Sequence, residues 1–122
     1  MSGVQILSGA RVWLCDSDGP PLSTGRDATD IIGDAYGTDV AVIALPAARL
    51  ADEVFDLSTR LAGEFVQKFV NYGVRLAIIG DISAHLAASS ALRDFVYESN
   101  RGHHLWFAPS LDDLLARLTK PA

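Results

Sequence analysis

The segment Val40-Ala-Val-Ile-Ala-Leu-Pro46 decides the fold, because it is a continuous apolar run that ends at a proline. Such a run is typical of a strand covered on both faces, as in a parallel sheet. The apolar residues between Leu61 and Val70 follow helical spacing instead. Val74-Arg-Leu-Ala-Ile-Ile-Gly80 then predicts a second buried strand. Strand, helix and strand in this order predict a right-handed parallel crossover.

The segments upstream extend this unit at its N-terminal side. Val4–Leu7 and Arg11–Cys15 are short β-type runs that flank Ser8-Gly9-Ala10, and they predict a hairpin. A helix capped by Ser23 or Thr24 follows the hairpin. We expect the hairpin to form an antiparallel edge of the sheet.

The segments downstream repeat the alternation of helix and strand. A helix is predicted from Ser83 to Arg101, a strand at His104–Ala108, and a terminal helix from Ser110. The expected fold class is α/β with the order β-β-α-β-α-β-α-β-α, a mainly parallel sheet with an antiparallel N-terminal hairpin edge. We expect a single domain over residues 1–122, since this length is typical of one domain.

The composition restricts the classes of partner and the location. The chain has 122 residues, a formal net charge of -5 and one cysteine. An acidic balance argues against nucleic acid and against anionic membranes, since both require a basic surface. We expect a cytoplasmic protein, because the N-terminus has no secretory pattern and no apolar run is long enough to span a bilayer.

The sequence predicts no cofactor and no metal site. It contains neither G-x-G-x-x-G nor a Walker A sequence, which argues against nucleotide binding by those routes. His103 and His104 would point to opposite faces of a strand, so they cannot ligate one metal ion together. Cys15 ends an apolar strand beside Asp16 and Asp18, and we expect a buried, unreactive thiol.

Three segments carry a resemblance to a known family. They are Phe55-Asp-Leu-Ser-Thr-Arg-Leu-Ala-Gly-Glu-Phe-Val-Gln-Lys-Phe-Val-Asn-Tyr72, Leu76-Ala-Ile-Ile-Gly-Asp-Ile-Ser83, and Leu92-Arg-Asp-Phe-Val-Tyr-Glu-Ser-Asn-Arg-Gly102 followed by His104-Leu-Trp-Phe107. In these the chain resembles a bacterial family known as domain of unknown function 4180. The family has no settled activity, so the resemblance implies none.

The element order is also similar to that of the STAS domain of sulfate transporters and anti-sigma-factor antagonists. Those domains have an Asp-Ser-Ser/Thr-Gly loop at the start of a helix, and Phe55–Gly63 occupies the same place here. The hydroxyl pair would be Ser58 and Thr59. The match is loose, because Leu57 follows the aspartate and Arg60 stands in place of the glycine.

The residues before the Leu61 helix are candidates for modification or for contact with a partner. Ser58 and Thr59 are candidate phosphoacceptors, because a helix N-terminus favours a phosphate. The alternative is that Asp56 or Ser58 is simply the N-cap of the helix. Both interpretations stay open in the sequence.

Arg60 and Glu64 complete this candidate partner-contact segment. Glu64 is equally explained by solvated i,i+4 pairs with Arg60 and Lys68. Gly63 costs about 1 kcal/mol in a helix relative to alanine. We therefore expect something to approach Gly63 closely, most simply a neighbouring element of the sheet, and otherwise a partner chain or a ligand.

A second candidate site follows the strand Val74–Gly80. Asp81, Ser83 and His85 are candidate pocket residues, because ligands of open α/β sheets bind at the carboxyl ends of the strands. Asn100 and Arg101 precede the last strand and are candidates for the same pocket. One alternative is a turn with Ser83 as N-cap. The other is that Asn100 and Gly102 are C-cap residues, with Arg101 near the negative end of the helix dipole.

The sequence favours a STAS-like regulatory or protein-interaction module without catalytic activity. It would bind a protein partner, or form a homodimer, near Asp56–Glu64, with no nucleic acid and no membrane involved. The alternative is a small enzyme or small-molecule-binding protein with a site at the carboxyl end of the sheet. That site would bring together Glu64, Asp81, His85, Asn100 and Arg101.

Overall fold

A five-stranded sheet organises the chain, in the strand order β1-β2-β3-β4-β5. The structure is a computed structural model that describes residues 2–7 and 9–119. Ser8, which the sequence places in the hairpin turn, and both ends of the predicted domain lie outside these residues. The strands are β1 (Gly3–Leu7), β2 (Ala10–Leu14), β3 (Val42–Pro46), β4 (Leu76–Ile79) and β5 (Leu105–Ala108). The helices are α1 (Gly25–Ala35), α2 (Leu61–Asn71), α3 (Ser83–Ala88), α4 (Ser90–Arg101) and α5 (Leu111–Thr119).

The predicted order and the mixed sheet are confirmed. β1 pairs with β2 in antiparallel register, with Val4 opposite Trp13, and every other pair of neighbouring strands is parallel. The apolar run that decided the fold forms β3, whose residues Val42 to Leu45 are almost completely buried. Among the described residues, no helix is both long and apolar enough to cross a membrane.

The helices are distributed unequally over the two faces of the sheet. Helices α1 to α4 pack on one face around Phe65 and Phe69, against inward residues such as Ile43. Helix α5 packs alone on the other face, where Leu114 contacts Trp106 and its neighbours. The chain therefore changes face only after β5, and this change positions the candidate site.

Two helix boundaries differ from the prediction. The expected helix from Ser83 to Arg101 is divided, because the Ser89 side chain accepts a hydrogen bond from the N–H of Leu92 and starts α4. Helix α2 begins at Leu61 after Arg60, whose φ of 65° lies in the left-handed region. The expected N-cap at Ser58 or Asp56 is wrong for α2, since Asp56 instead caps a 3-10 turn over Leu57–Thr59.

Candidate functional site

A crevice lies where the chain leaves β4 and β5. After β4 the chain turns toward α3 and α4, whereas after β5 it turns toward α5 on the opposite face. Neighbouring strands whose connections diverge in this way leave a crevice at the carboxyl edge, where α/β proteins bind ligands. A cavity of about 320 Å3 occupies this position, and we call it the β4–β5 cavity. Its lining consists of Gly80, Asp81, Ile82, Ser83, Leu86, Val96, Asn100, Phe107, Ala108 and Pro109.

Asp81 is the ionisable group of the β4–β5 cavity. Its Oδ1 accepts a hydrogen bond of 2.9 Å from the N–H of Ser83, which closes a turn before α3. Side-chain and backbone hydrogen bonds from Ser83 hold the pKa of Asp81 below its usual range. Asp81 is therefore a carboxylate at neutral pH, exposed at the entrance and fixed by the turn. Ser83 is not the predicted N-cap, because it is the first residue of α3.

Asn100 joins the end of α4 to β5. Its Oδ1 accepts a hydrogen bond of 2.7 Å from the N–H of Phe107. Its main-chain carbonyl accepts a hydrogen bond from the guanidinium of Arg117 on α5. The Nδ2 of Asn100 has no partner within the described part of the chain, so this amide keeps donors for a ligand.

His85 lies beside a neighbouring cavity of about 260 Å3 that follows β3 and β4. This cavity shares Gly80, Asp81 and Ile82 with the β4–β5 cavity. The imidazole stacks on Phe55 with ring centroids 4.1 Å apart, and its Nε2 lies 3.9 Å from Oδ1 of Asp52. The Asp52 side chain is 94% exposed, so water screens this contact and it contributes little to stability.

The structure does not bring together the whole set expected for a pocket. Asp81, Ser83 and Asn100 line one cavity, and His85 lines its neighbour. Arg101 lines neither cavity, since its guanidinium lies 3.9 Å from Glu98 and 5.6 Å from the ring centre of Tyr97. The expectation was wrong for Arg101 because it lies on a solvent-exposed part of the last turn of α4.

Glu64 also lies apart from these cavities. It lines a broad depression with Arg60, Gly25 and Lys68, between the starts of α1 and α2. The expected close packing at Gly63 is wrong, because a Cβ added there would meet no atom of another described element within 4 Å. The surface above Gly63 is therefore open.

Ser58 and Thr59 are exposed in the 3-10 turn before α2. The Ser58 Oγ donates to Oδ1 of Asp56 at 2.7 Å, and the Ser58 N–H donates to the same atom at 3.0 Å. The Thr59 Oγ1 lies 2.8 Å from the carbonyl oxygen of Asp56 and accepts a hydrogen bond from the N–H of Leu61. A phosphate on Ser58 would therefore meet the Asp56 carboxylate instead of a free helix N-terminus.

Sequence reasoning missed most of the apolar lining of the β4–β5 cavity. Leu86, Val96 and Phe107 are absent from the candidate residues, because periodicity does not distinguish a core position from a cavity wall. The position of Pro109 directly after the last strand could have identified it as a cavity residue, since a residue that ends a parallel strand lies at the carboxyl edge of the sheet. Cys15 is half-buried, and burial raises the pKa of its thiol to about 12, so its lack of reactivity stays a prediction.

Comparisons with known proteins place the chain in a family. Comparison with curated proteins and with solved structures finds no match. A family described as "Domain of unknown function (DUF4180)" matches residues 7–118, which is most of the chain. The match includes all of the elements from β2 to β5 and nearly all of α5. The chain therefore belongs to the DUF4180 family.

Proposed function

We propose that this protein binds a small organic molecule in the β4–β5 cavity. The observation that carries the proposal is the position of the cavity, at the one place where the connections of neighbouring parallel strands diverge within the described residues. Its volume of about 320 Å3 is at the lower end of the range of small-molecule sites. A ligand of modest size is therefore favoured.

The lining defines the chemistry of the ligand. Most of the wall is apolar, with Leu86, Val96 and Phe107 as its larger side chains. Asp81 supplies a negative charge at the entrance, and Asn100 supplies an amide. These groups favour a molecule with an apolar body and a primary or secondary ammonium group. The net charge of -5 also favours a cation over an anion.

The same groups support binding rather than turnover. Asp81 is fixed by Ser83, and the Asn100 side chain is fixed by the N–H of Phe107. Side chains that are already oriented before the ligand arrives lose little freedom on binding, which favours recognition. Because hydrogen bonds lower the pKa of Asp81, the carboxylate is a weak base and its role is to attract charge.

The test compares two aspartates that occupy the same kind of turn. Asp81 and Asp56 each accept a hydrogen bond from the N–H of the serine two residues later, at 2.9 and 3.0 Å. Only Asp81 lines the β4–β5 cavity. A library of apolar amines and matched carboxylic acids is screened by amide NMR shifts, and the affinity of each hit is measured for Asp81→Asn and Asp56→Asn.

We expect amine hits that shift the amides of Gly80–Ser83 and Phe107. Asp81→Asn removes the negative charge that would pair with the ammonium group, so we expect it to weaken amine binding by about tenfold. Asp56→Asn leaves the affinity unchanged. The proposal is overturned if no compound shifts these amides at millimolar concentration, or if both variants bind the amines equally.

A second candidate function is the STAS-like regulatory or protein-interaction module, with contact near Asp56–Glu64. The open surface above Gly63 favours it, because internal packing does not explain a glycine in the first turn of α2. A partner that lies against the helix backbone would explain it. Gly63→Arg should block such a partner, whereas Gly33→Arg, at another open glycine in α1, should not.

Two measurements test this second candidate. Sedimentation of the purified protein reports self-association, and pulldown from the native host followed by mass spectrometry reports another partner. Intact mass after incubation with kinases and ATP reports modification of Ser58 or Thr59. A monomeric, unmodified protein whose captured proteins are the same for both arginine variants would exclude a partner at this surface.

A further inference from the structure

Two arginines contact one buried tryptophan near the amino ends of β4 and β5. Trp106 is 7% exposed and packs beneath α5, and its Nε1–H donates to the carbonyl of Gly102 at 2.8 Å. The Cζ of Arg75 lies 4.2 Å from the ring centroid, and the Cζ of Arg117 lies 3.8 Å from it. Arg75 directly precedes β4, and Arg117 comes from the last turn of α5. We call these three residues the arginine–tryptophan cluster.

In the described part of the chain, no acidic group pairs with the positive charges of this cluster. Among residues 2–7 and 9–119, no carboxylate oxygen lies within 4.0 Å of either guanidinium. Burial and the neighbouring charge of Arg75 both lower the pKa of Arg117. A cation–π interaction with the tryptophan ring stabilises each guanidinium taken singly. It does not remove the repulsion between two like charges held on the same ring.

Both guanidinium groups are held in place by hydrogen bonds and still have N–H donors available. The Nε of Arg75 donates to the carbonyl of His103 at 2.7 Å, and one terminal nitrogen of Arg117 donates to the carbonyl of Asn100. A guanidinium has five N–H donors, so most donors of each group have no partner in the described structure. Both side chains are partly exposed and can be reached from solvent.

We propose that Arg75 and Arg117 form a binding site for an oxyanion, a phosphate or a carboxylate group, beside Trp106. Planar guanidinium forks match both oxyanions, and a pair of forks held by backbone carbonyls and an indole is oriented before the anion arrives. A bound anion would offset the repulsion between the two cations. The site lies near the amino ends of β4 and β5, whereas the β4–β5 cavity lies at their carboxyl ends. Asn100 contacts both, but the proposal does not depend on the function proposed for the cavity.

The test follows the arginine Nε–H and Trp106 indole N–H signals by NMR. Inorganic phosphate and acetate are titrated separately at neutral pH, each against sodium chloride at equal ionic strength. We expect saturable shifts of these signals with an oxyanion and none with chloride. Saturation by either oxyanion supports the site, and the one that binds more tightly identifies the class of anion.

Variants separate binding from a purely structural role. Arg75→Gln is expected to weaken oxyanion binding by about tenfold or more, and Arg75→Lys by less, since the charge remains. Arg93→Gln is the control, because Arg93 also donates to a backbone carbonyl but lies outside the cluster. If Arg75 has only a structural role, Arg75→Gln lowers the melting temperature, and oxyanions do not change the melting temperature of the wild type. The proposal is overturned if neither oxyanion saturates the signals, or if Arg75→Gln binds as the wild type does.

Discussion

Asn100→Ala tests the interpretation that one side chain joins α4 to β5. The substitution removes the oxygen that accepts the 2.7 Å hydrogen bond from the N–H of Phe107. An unpaired buried donor costs about 1–3 kcal/mol, and because Phe107 is partly exposed we expect about 1–2 kcal/mol. For a domain of this size, that loss corresponds to a melting temperature lower by about 4–8 °C.

Thermal unfolding by circular dichroism measures the effect, with Asn71→Ala as the matched control. Asn71 also ends a helix, but its Oδ1 accepts only from the exposed Gln67 side chain, so its removal should change stability by less than about 0.5 kcal/mol. Asn100→Asp keeps an oxygen that can accept this hydrogen bond, so it should lower the melting temperature less than Asn100→Ala does. Equal losses for Asn100→Ala and Asn71→Ala would refute the reasoning.

Three further predictions concern backbone, thiol and carboxyl groups. Gly63→Ala should raise the free energy of unfolding by about 0.5–1 kcal/mol in urea titration, whereas Gly80→Ala should lower it, because Gly80 has a φ of +141°. Cys15 should react with iodoacetamide at pH 8 much more slowly in the native than in the unfolded protein, as followed by mass, since its thiol pKa is raised to about 12. Backbone hydrogen bonds from Ser23 and Thr24 lower the pKa of Asp27 in the folded protein, so the unfolded chain binds more protons in acid. The contribution of Asp27 to the free energy of unfolding is therefore complete above the usual carboxyl pKa. It is lost as the pH falls through the lowered pKa of the folded protein. Acid unfolding of Asp27→Asn should show a smaller pH dependence, and an unchanged one would contradict this assignment.

The fold was predictable because its signals are local. The run Val40–Leu45 and the helical spacing between Leu61 and Val70 each report burial within one element, and the crossover rule then joins the elements. Thr24 was predictable as a cap for the same reason, since its partner Asp27 is three residues away. Patterns that involve residues only a few positions apart can be recognised in a single sequence.

The site was only partly predictable, because its geometry depends on contacts between distant residues. Asp81 and Ser83 were recognised from their position after a strand. Ser83 was expected as an N-cap, however, whereas it is the first residue of α3 and its N–H donates to Asp81. Trp106 and Arg117 are eleven positions apart and meet only because α5 returns along the sheet. Arg75 joins them from another strand, and no spacing in the sequence indicates that meeting.

Helix α5 explains why both proposed sites exist in one small domain. At its start the chain crosses to the face opposite α4, and this crossing leaves the β4–β5 cavity open beside Pro109. At its end the helix has returned to the amino edge, where Arg117 lies against Trp106 and donates to the carbonyl of Asn100. Asn100 thus contacts β5 beside the cavity through its side chain and α5 through its main chain. Asn100 therefore positions the cavity wall and also contacts the arginine–tryptophan cluster. When a ligand is titrated into one site, the NMR signals of the other site should be followed as well.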